Sequence, residues 1–138
     1  MNRIDLQRLS RLRQREARVL LDAGLAPGAY YLAGYAVECA LKACIAKQTR
    51  RHDFPDKTLA TQAHVHDLDK LVRLAGMDPE FTAARVASPA LELNWAVAKD
   101  WNERSRYDGT IDVTAASDLL SACTTRRNGV LAWIRARW

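Results

Sequence analysis

GAYYLAGYAVECALKACIAK, residues 28–47, is apolar on nearly every side. Ala29, Leu32, Ala33, Ala36, Val37, Ala40, Leu41, Ala43, Cys44 and Ile45 leave no wide polar face. Alanine and leucine are strong helix formers, and no proline interrupts the run. A helix that is apolar all round belongs at the centre of a bundle. The exceptions fall on one line: Tyr31, Tyr35, Glu38 and Lys42 are spaced four, three and four residues apart, so they form a narrow polar and aromatic stripe. Glu38 precedes Lys42 by four residues, the favourable order for a helical ion pair. Two readings of the stripe stand: an ion pair satisfied at the edge of a core, or the lining of a subunit interface or polar cleft.

Outward from this stretch the chain divides by caps and stops. Residues 2–23 predict an amphipathic helix with Leu9, Leu12, Val19, Leu20 and Ala23 on its apolar side and six arginines around the rest. Gly24 suits the position just past a helix end, and Pro27 prevents continuation. The short link that results makes the first two helices antiparallel neighbours. The arginines are either a solvated face or a nucleic-acid face. From Gln48 to Val65 the period is lost: Thr49 to Pro55 reads as a loop and Thr58 to His64 is small and polar, together a long connection without a helix of its own.

Beyond it, Asp67 is an N-cap and Gly76 a stop, with Leu68, Leu71, Val72 and Ala75 between them. Asp78-Pro79 and Ser88-Pro89 each read as an N-cap followed by proline at the first helical position. They open helices to about Val86 and to about Trp101. A last helix is expected from about Thr114 to Arg137, capped by Thr114 or Asp112, with Gly129 permitting a bend or a close contact. The expected fold is therefore all-α: one domain over residues 1–138, an up-and-down antiparallel bundle of five to six helices.

Composition agrees. Of the 138 residues, 49% are hydrophobic and 27% charged, which excludes global disorder. Net charge is +5, which permits nucleic acid, nucleotides or acidic proteins as partners without choosing among them. The three cysteines fit no metal or redox spacing, so all three read as reduced core thiols of a cytoplasmic protein. No apolar run reaches membrane-spanning length without a charge, so no membrane association is expected. His52, His64 and His66 are the only histidines. His64-Val65-His66 could set two imidazoles on one side of an extended segment, but a metal site needs a third ligand that nothing supplies, so no metal and no cofactor is expected.

Three segments carry a resemblance. Residues 29–45, through Tyr31, Ala36, Glu38, Leu41 and Lys42, resemble the second helix of the HEPN domain family, with its Glu-x-x-x-Lys inside an apolar run. His66-Asp67-Leu68 resembles the start of that family's third helix. Arg106-Tyr107 resembles the Arg-Tyr pair with which many members end a later helix, here with Asp108-Gly109 where proline often follows. The three occur in the family's order. The resemblance implies a helical bundle that usually dimerises.

The family's metal-independent ribonucleases carry an arginine followed four to six positions on by a histidine. Here Arg104 and Arg106 are present, but no histidine occurs after His66, so the catalytic half of the motif is missing. The resemblance therefore implies the other branch, whose members are often encoded beside a small nucleotidyltransferase in toxin–antitoxin-like pairs. It implies nucleotide or RNA binding, or docking onto that enzyme. Arg104, Arg106 and Tyr107 are the candidate phosphate-binding and stacking residues, expected within one turn at the end of the penultimate helix. Tyr31, Tyr35, Glu38 and Lys42 support them, and His64 and His66 are weaker candidates. Two alternatives stay open: a ribonuclease that uses His64 or His66 beside Arg106, and a structural homodimer without ligand in which the tyrosines, arginines and Glu38-Lys42 pair serve assembly alone. A homodimer is expected in any case, to cover Trp95, Trp101, Trp133 and Trp138, and the plain alternative to a phosphate site is that Arg106 and Tyr107 lock the helix end onto Glu38 or another acid.

Overall fold

The computed structural model describes residues 1–49, 54 and 56–138, and among these it is helical with no strand. The eight α-helices are α1 (Arg3–Asp22), α2 (Ala26–Lys47), α3 (Lys57–Gln62), α4 (Leu68–Leu74), α5 (Asp78–Ala87), α6 (Pro89–Lys99), α7 (Val113–Thr124) and α8 (Val130–Arg135). A short 3-10 helix, Glu103–Tyr107, stands between α6 and α7.

Helix α2 is the axis of the fold. It packs against α1, α4, the 3-10 helix, α7 and α8. Its buried residues include Ala33, Ala36, Val37, Ala40, Leu41 and Cys44, as an all-apolar helix requires. α1 begins with a capping box: Asp5 N–H donates to the Asn2 side chain, and Asn2 N–H donates back to the Asp5 carboxylate, each at 3.0 Å. It ends before Gly24, whose φ of +77° only glycine adopts without strain. α1 and α2 run antiparallel. Ser10 Oγ donates to the Ala36 carbonyl at 2.7 Å, while Leu20 lies against Gly28 at the other end.

The expected caps form at Asp67, Ser88 and Asp112, whose side chains accept from the backbone N–H of Lys70, Leu91 and Ala115. At α5 the cap position is Met77 rather than Asp78, which is already helical.

Four expectations need correction. The bundle has more and shorter helices than the five to six foreseen. The stretch Gln48–Val65 is not all loop, because Asp56 caps α3 by accepting from Thr58 and Leu59 N–H. The part of the loop reading on Arg50, Arg51, His52, Asp53 and Pro55 lies outside the described residues. The last helix is two helices: Asn128 takes a φ of 61° and Gly129 is extended, which turns the chain between α7 and α8. A Cβ at position 129 would lie 2.1 Å from the Thr125 carbonyl oxygen, so the corner also demands glycine. Finally, the α1 face is rotated. Val19 is 67% exposed and Leu12 39%, while Ser10 and Ala17 are buried against α2.

The tryptophans need no partner chain for cover. Trp95 and Trp101 are buried within the single chain, and Trp133 and Trp138 pack partly buried against the same core. Phe81 meets Trp95 edge-on, with ring centroids 4.8 Å apart. No described helix is long and apolar enough to cross a membrane.

Candidate functional site

The polar stripe of α2 survives folding, and other elements converge on it. Glu38, only 1% exposed, holds two donors on one carboxylate oxygen. Lys42 Nζ donates to Oε1 at 2.8 Å, and His66 Nδ1 lies 2.9 Å from the same oxygen. His66 directly precedes the N-cap of α4, so the start of that helix delivers the imidazole. Glu38 Oε2 has no hydrogen-bond partner among the described residues.

One and two turns earlier the stripe is aromatic. Tyr31 and Tyr35 stack nearly parallel, 5.9 Å between centroids and 9° between planes. Tyr31 also lies 6.1 Å from the Trp101 ring. Arg13, paired with Glu16 on α1, sits 5.8 Å over Tyr35. Burial raises the pKa of the Tyr35 phenol, so it is a neutral hydroxyl near neutral pH.

Arg104, Arg106 and Tyr107 do not extend α6. That helix stops at Lys99, and the three residues belong to the separate 3-10 helix capped by Asn102, whose side chain accepts from Arg104 N–H. The two arginines also part. Arg104 lines a cleft of about 370 Å³ with Tyr30, Ser105, Asp108 and Ile111. Burial, then the fields of Asp100 and other neighbours, raises the Tyr30 pKa and keeps that phenol protonated. Arg106 instead stands fully exposed, 4.8 Å over the Tyr107 ring. The nearby phenols of Tyr107 and then Tyr31 raise its pKa further above an already high value. Since neighbouring positions on α2 point about 100° apart, Tyr30 and Tyr31 mark two different faces, and one arginine goes to each.

Among the described residues neither arginine makes an ion pair. Glu38 is taken by Lys42 and His66, and Asp108 accepts from Thr110. The lock of Arg106 onto Glu38 is therefore not formed.

The histidines also separate. His64 lines a cavity between α1, α2 and α3, whereas His66 lines a cleft of about 470 Å³ with Lys99, Asp100, Trp101, Asn102 and Glu103. Neither arginine lines the His66 cleft. His52 lies outside the described residues. No group of three or more potential metal ligands occurs among the described residues. Burial pushes the thiols up, to about 12 for Cys39 and Cys123 and about 11 for Cys44, so none is a ready nucleophile.

Sequence reasoning found Glu38 and Lys42 but not their third partner, His66. It also passed over Gly34, a glycine inside a helix and so a legible sign of close packing. The Trp101 ring fills that notch. Compared with known protein families, with curated proteins and with solved structures, the chain matches none.

Proposed function

We propose that this chain is a HEPN-like module of the branch without the ribonuclease motif, binding a nucleotide or a short stretch of RNA rather than cutting it. The observation that carries the reading is Arg106. It is a permanently charged fork in solvent, backed by the Tyr107 ring, beside Tyr31, with no ion-pair partner among the described residues. Arginine beside exposed aromatics suits a phosphate next to a stackable base. Tyr107 is 78% exposed and offers its ring to such a base. The three-segment resemblance supports the same class. It adds a homodimer in the cytoplasm, and a nucleotidyltransferase as partner, to the proposal.

The test is calorimetry with adenine and guanine nucleotides and short RNAs. Arg106→Ala should weaken binding by about 1.5–3 kcal/mol, as for a hydrogen bond to a charged group. Its melting temperature should stay unchanged. Undisturbed binding with a large loss of stability sinks the ligand-site idea.

One observation favours a second reading, a metal-independent ribonuclease. A histidine whose Nδ1–H is held by a buried carboxylate is oriented as a general base, with Nε2 left for the substrate. Against it, the His66 cleft lacks both arginines, and its carboxylates Asp67, Asp100 and Glu103 outnumber its one lysine, Lys99, which leaves it unfavourable for phosphate. RNA cleavage in a chelator, lost in His66→Ala, would promote this reading over the first.

A further inference from the structure

The pattern Arg-x-x-Arg-apolar occurs twice in α1, first as Arg8, Arg11 and Leu12 and again, seven positions on, as Arg15, Arg18 and Val19. All six side chains are exposed. The inner side of the helix keeps the same period: Ser10 and Ala17 are buried, and Ser10 Oγ donates to the Ala36 carbonyl of α2 at 2.7 Å. That contact fixes the rotation of α1, so its outer face stands as a rigid ridge. We propose that this ridge docks an acidic amphipathic helix of a partner protein, laid along α1 with apolar side chains on Leu12 and Val19 and carboxylates against the four arginines.

A period of seven on a solvent face is the pattern that a second helix reads. Successive positions turn by about 100°, so Leu12 and Val19 share one line and the arginines fan out along one side of it. Leu12 is 39% exposed and Val19 67%. Among the described residues none of the four arginines makes an ion pair. The acids of α1 do not answer them. Asp5 closes the capping box, Glu16 is paired with Arg13, and Asp22, one turn beyond Arg18, forms no ion pair. Asp112 and Asp118 of α7, the helix packed beside α1, are not paired with them either. The Trp138 ring lies 4.7 Å from the Arg11 guanidinium and restrains it.

Charge and the apolar line together select the occupant. Four guanidiniums without carboxylates attract an anionic surface. A phosphodiester backbone would satisfy them but sets charge, not apolar surface, against Leu12 and Val19. A membrane surface calls for a wide apolar face with aromatic anchors, which this ridge lacks. A second copy placed α1 to α1 sets arginine against arginine. An acidic helix meets both demands. Arginine stems extend the apolar contact, and their forks take carboxylates. Arg106 stands on another element, and neither proposal rests on the other.

The experiment uses the full chain and three fluorescent helical peptides of about three heptads each, read by anisotropy. The first carries leucine at the two inner heptad positions and glutamate on either side. The second has the same composition, permuted so that its leucines share no face. The third replaces glutamate with lysine. The first should bind about tenfold or more tightly than the second, and the third should not bind. Leu12→Gln/Val19→Gln and Arg8→Glu/Arg15→Glu should each weaken the first peptide about tenfold or more. Circular dichroism should show both variants folded, because all four side chains lie outside the core. No binding of the first peptide overturns the proposal, as does equal binding of the first and second. Tighter binding of a short RNA duplex or of phosphatidylserine vesicles, lost in Arg8→Glu/Arg15→Glu but kept in Leu12→Gln/Val19→Gln, overturns it in favour of a nucleic-acid or membrane face.

Discussion

The indole of Trp101 occupies the notch that Gly34 leaves in α2, where a Cβ would lie 2.2 Å from three atoms of the ring. Trp101 is 2% exposed and leans on Tyr31, so it has little room to retreat. Gly34→Ala gains helix propensity of about 1 kcal/mol but forces an overlap that costs more, about 1–3 kcal/mol or above. The net result should be a lower melting temperature and a shifted tryptophan emission. A melting temperature equal to or above wild type would show that the ring moves freely.

Removing Lys42 should expose what its pairing with Glu38 does. Lys42→Met leaves a buried carboxylate with only His66, and should cost about 3 kcal/mol, the lower end for breaking a buried pair. The double variant Glu38→Met/Lys42→Met should recover much of that loss, because no charge stays buried. Urea unfolding of the two variants side by side decides. A double variant no better than Lys42→Met would contradict the account.

The three buried thiols set an alkaline limit. Their folded-state pKa values, about 12, 11 and 12 for Cys39, Cys44 and Cys123, lie above the model-peptide value of 9.0. Between these values the unfolded chain has released protons that the native chain still holds. Their contribution to stability is therefore intact below about pH 9 and is lost as pH rises toward 11. Each thiol adds a slope of up to about 1.4 kcal/mol per pH unit in that window. Unfolding monitored from pH 8 to 11 should show the decline, and Cys123→Ala should flatten it by roughly a third.

Ser88 closes two contacts with one hydroxyl. Its Oγ accepts from Leu91 N–H at 3.2 Å and donates to Asn128 Oδ1 at 3.0 Å. Ser88→Ala should cost about 1–2 kcal/mol, the upper part of the range for a lost N-cap. An unchanged melting temperature would mean that the cap is idle.

Local chemistry is what the sequence made legible. Asp67, Ser88 and Asp112 cap their helices because a cap depends on three or four consecutive residues. α3 escaped because none of its six residues is buried, so it has no apolar period to read. The break before α8 was hidden by coincidence. Cys123, Val130 and Ile134 keep a helical spacing across it, while the turn is made by Asn128 and Gly129.

The site divides the same way. Glu38 with Lys42 follows from a separation of four on one helix, but His66 arrives from 28 residues away. Arg104 and Arg106 are near in sequence, but positions two apart on a 3-10 helix of three residues per turn point to different sides.

The corner at Asn128 has a further consequence for the order in which the chain comes apart. α8 has six residues, too few to be helical alone. Its shape is borrowed from α2, α6 and α7, and the corner is stitched to α6 by Ser88 and by Asn94 Nδ2, which donates to the Asn128 carbonyl at 2.8 Å. Amides of α8 should therefore exchange with solvent as one unit, released together when those stitches open. The amides of α2, walled in by the rest of the molecule, would be the last to leave.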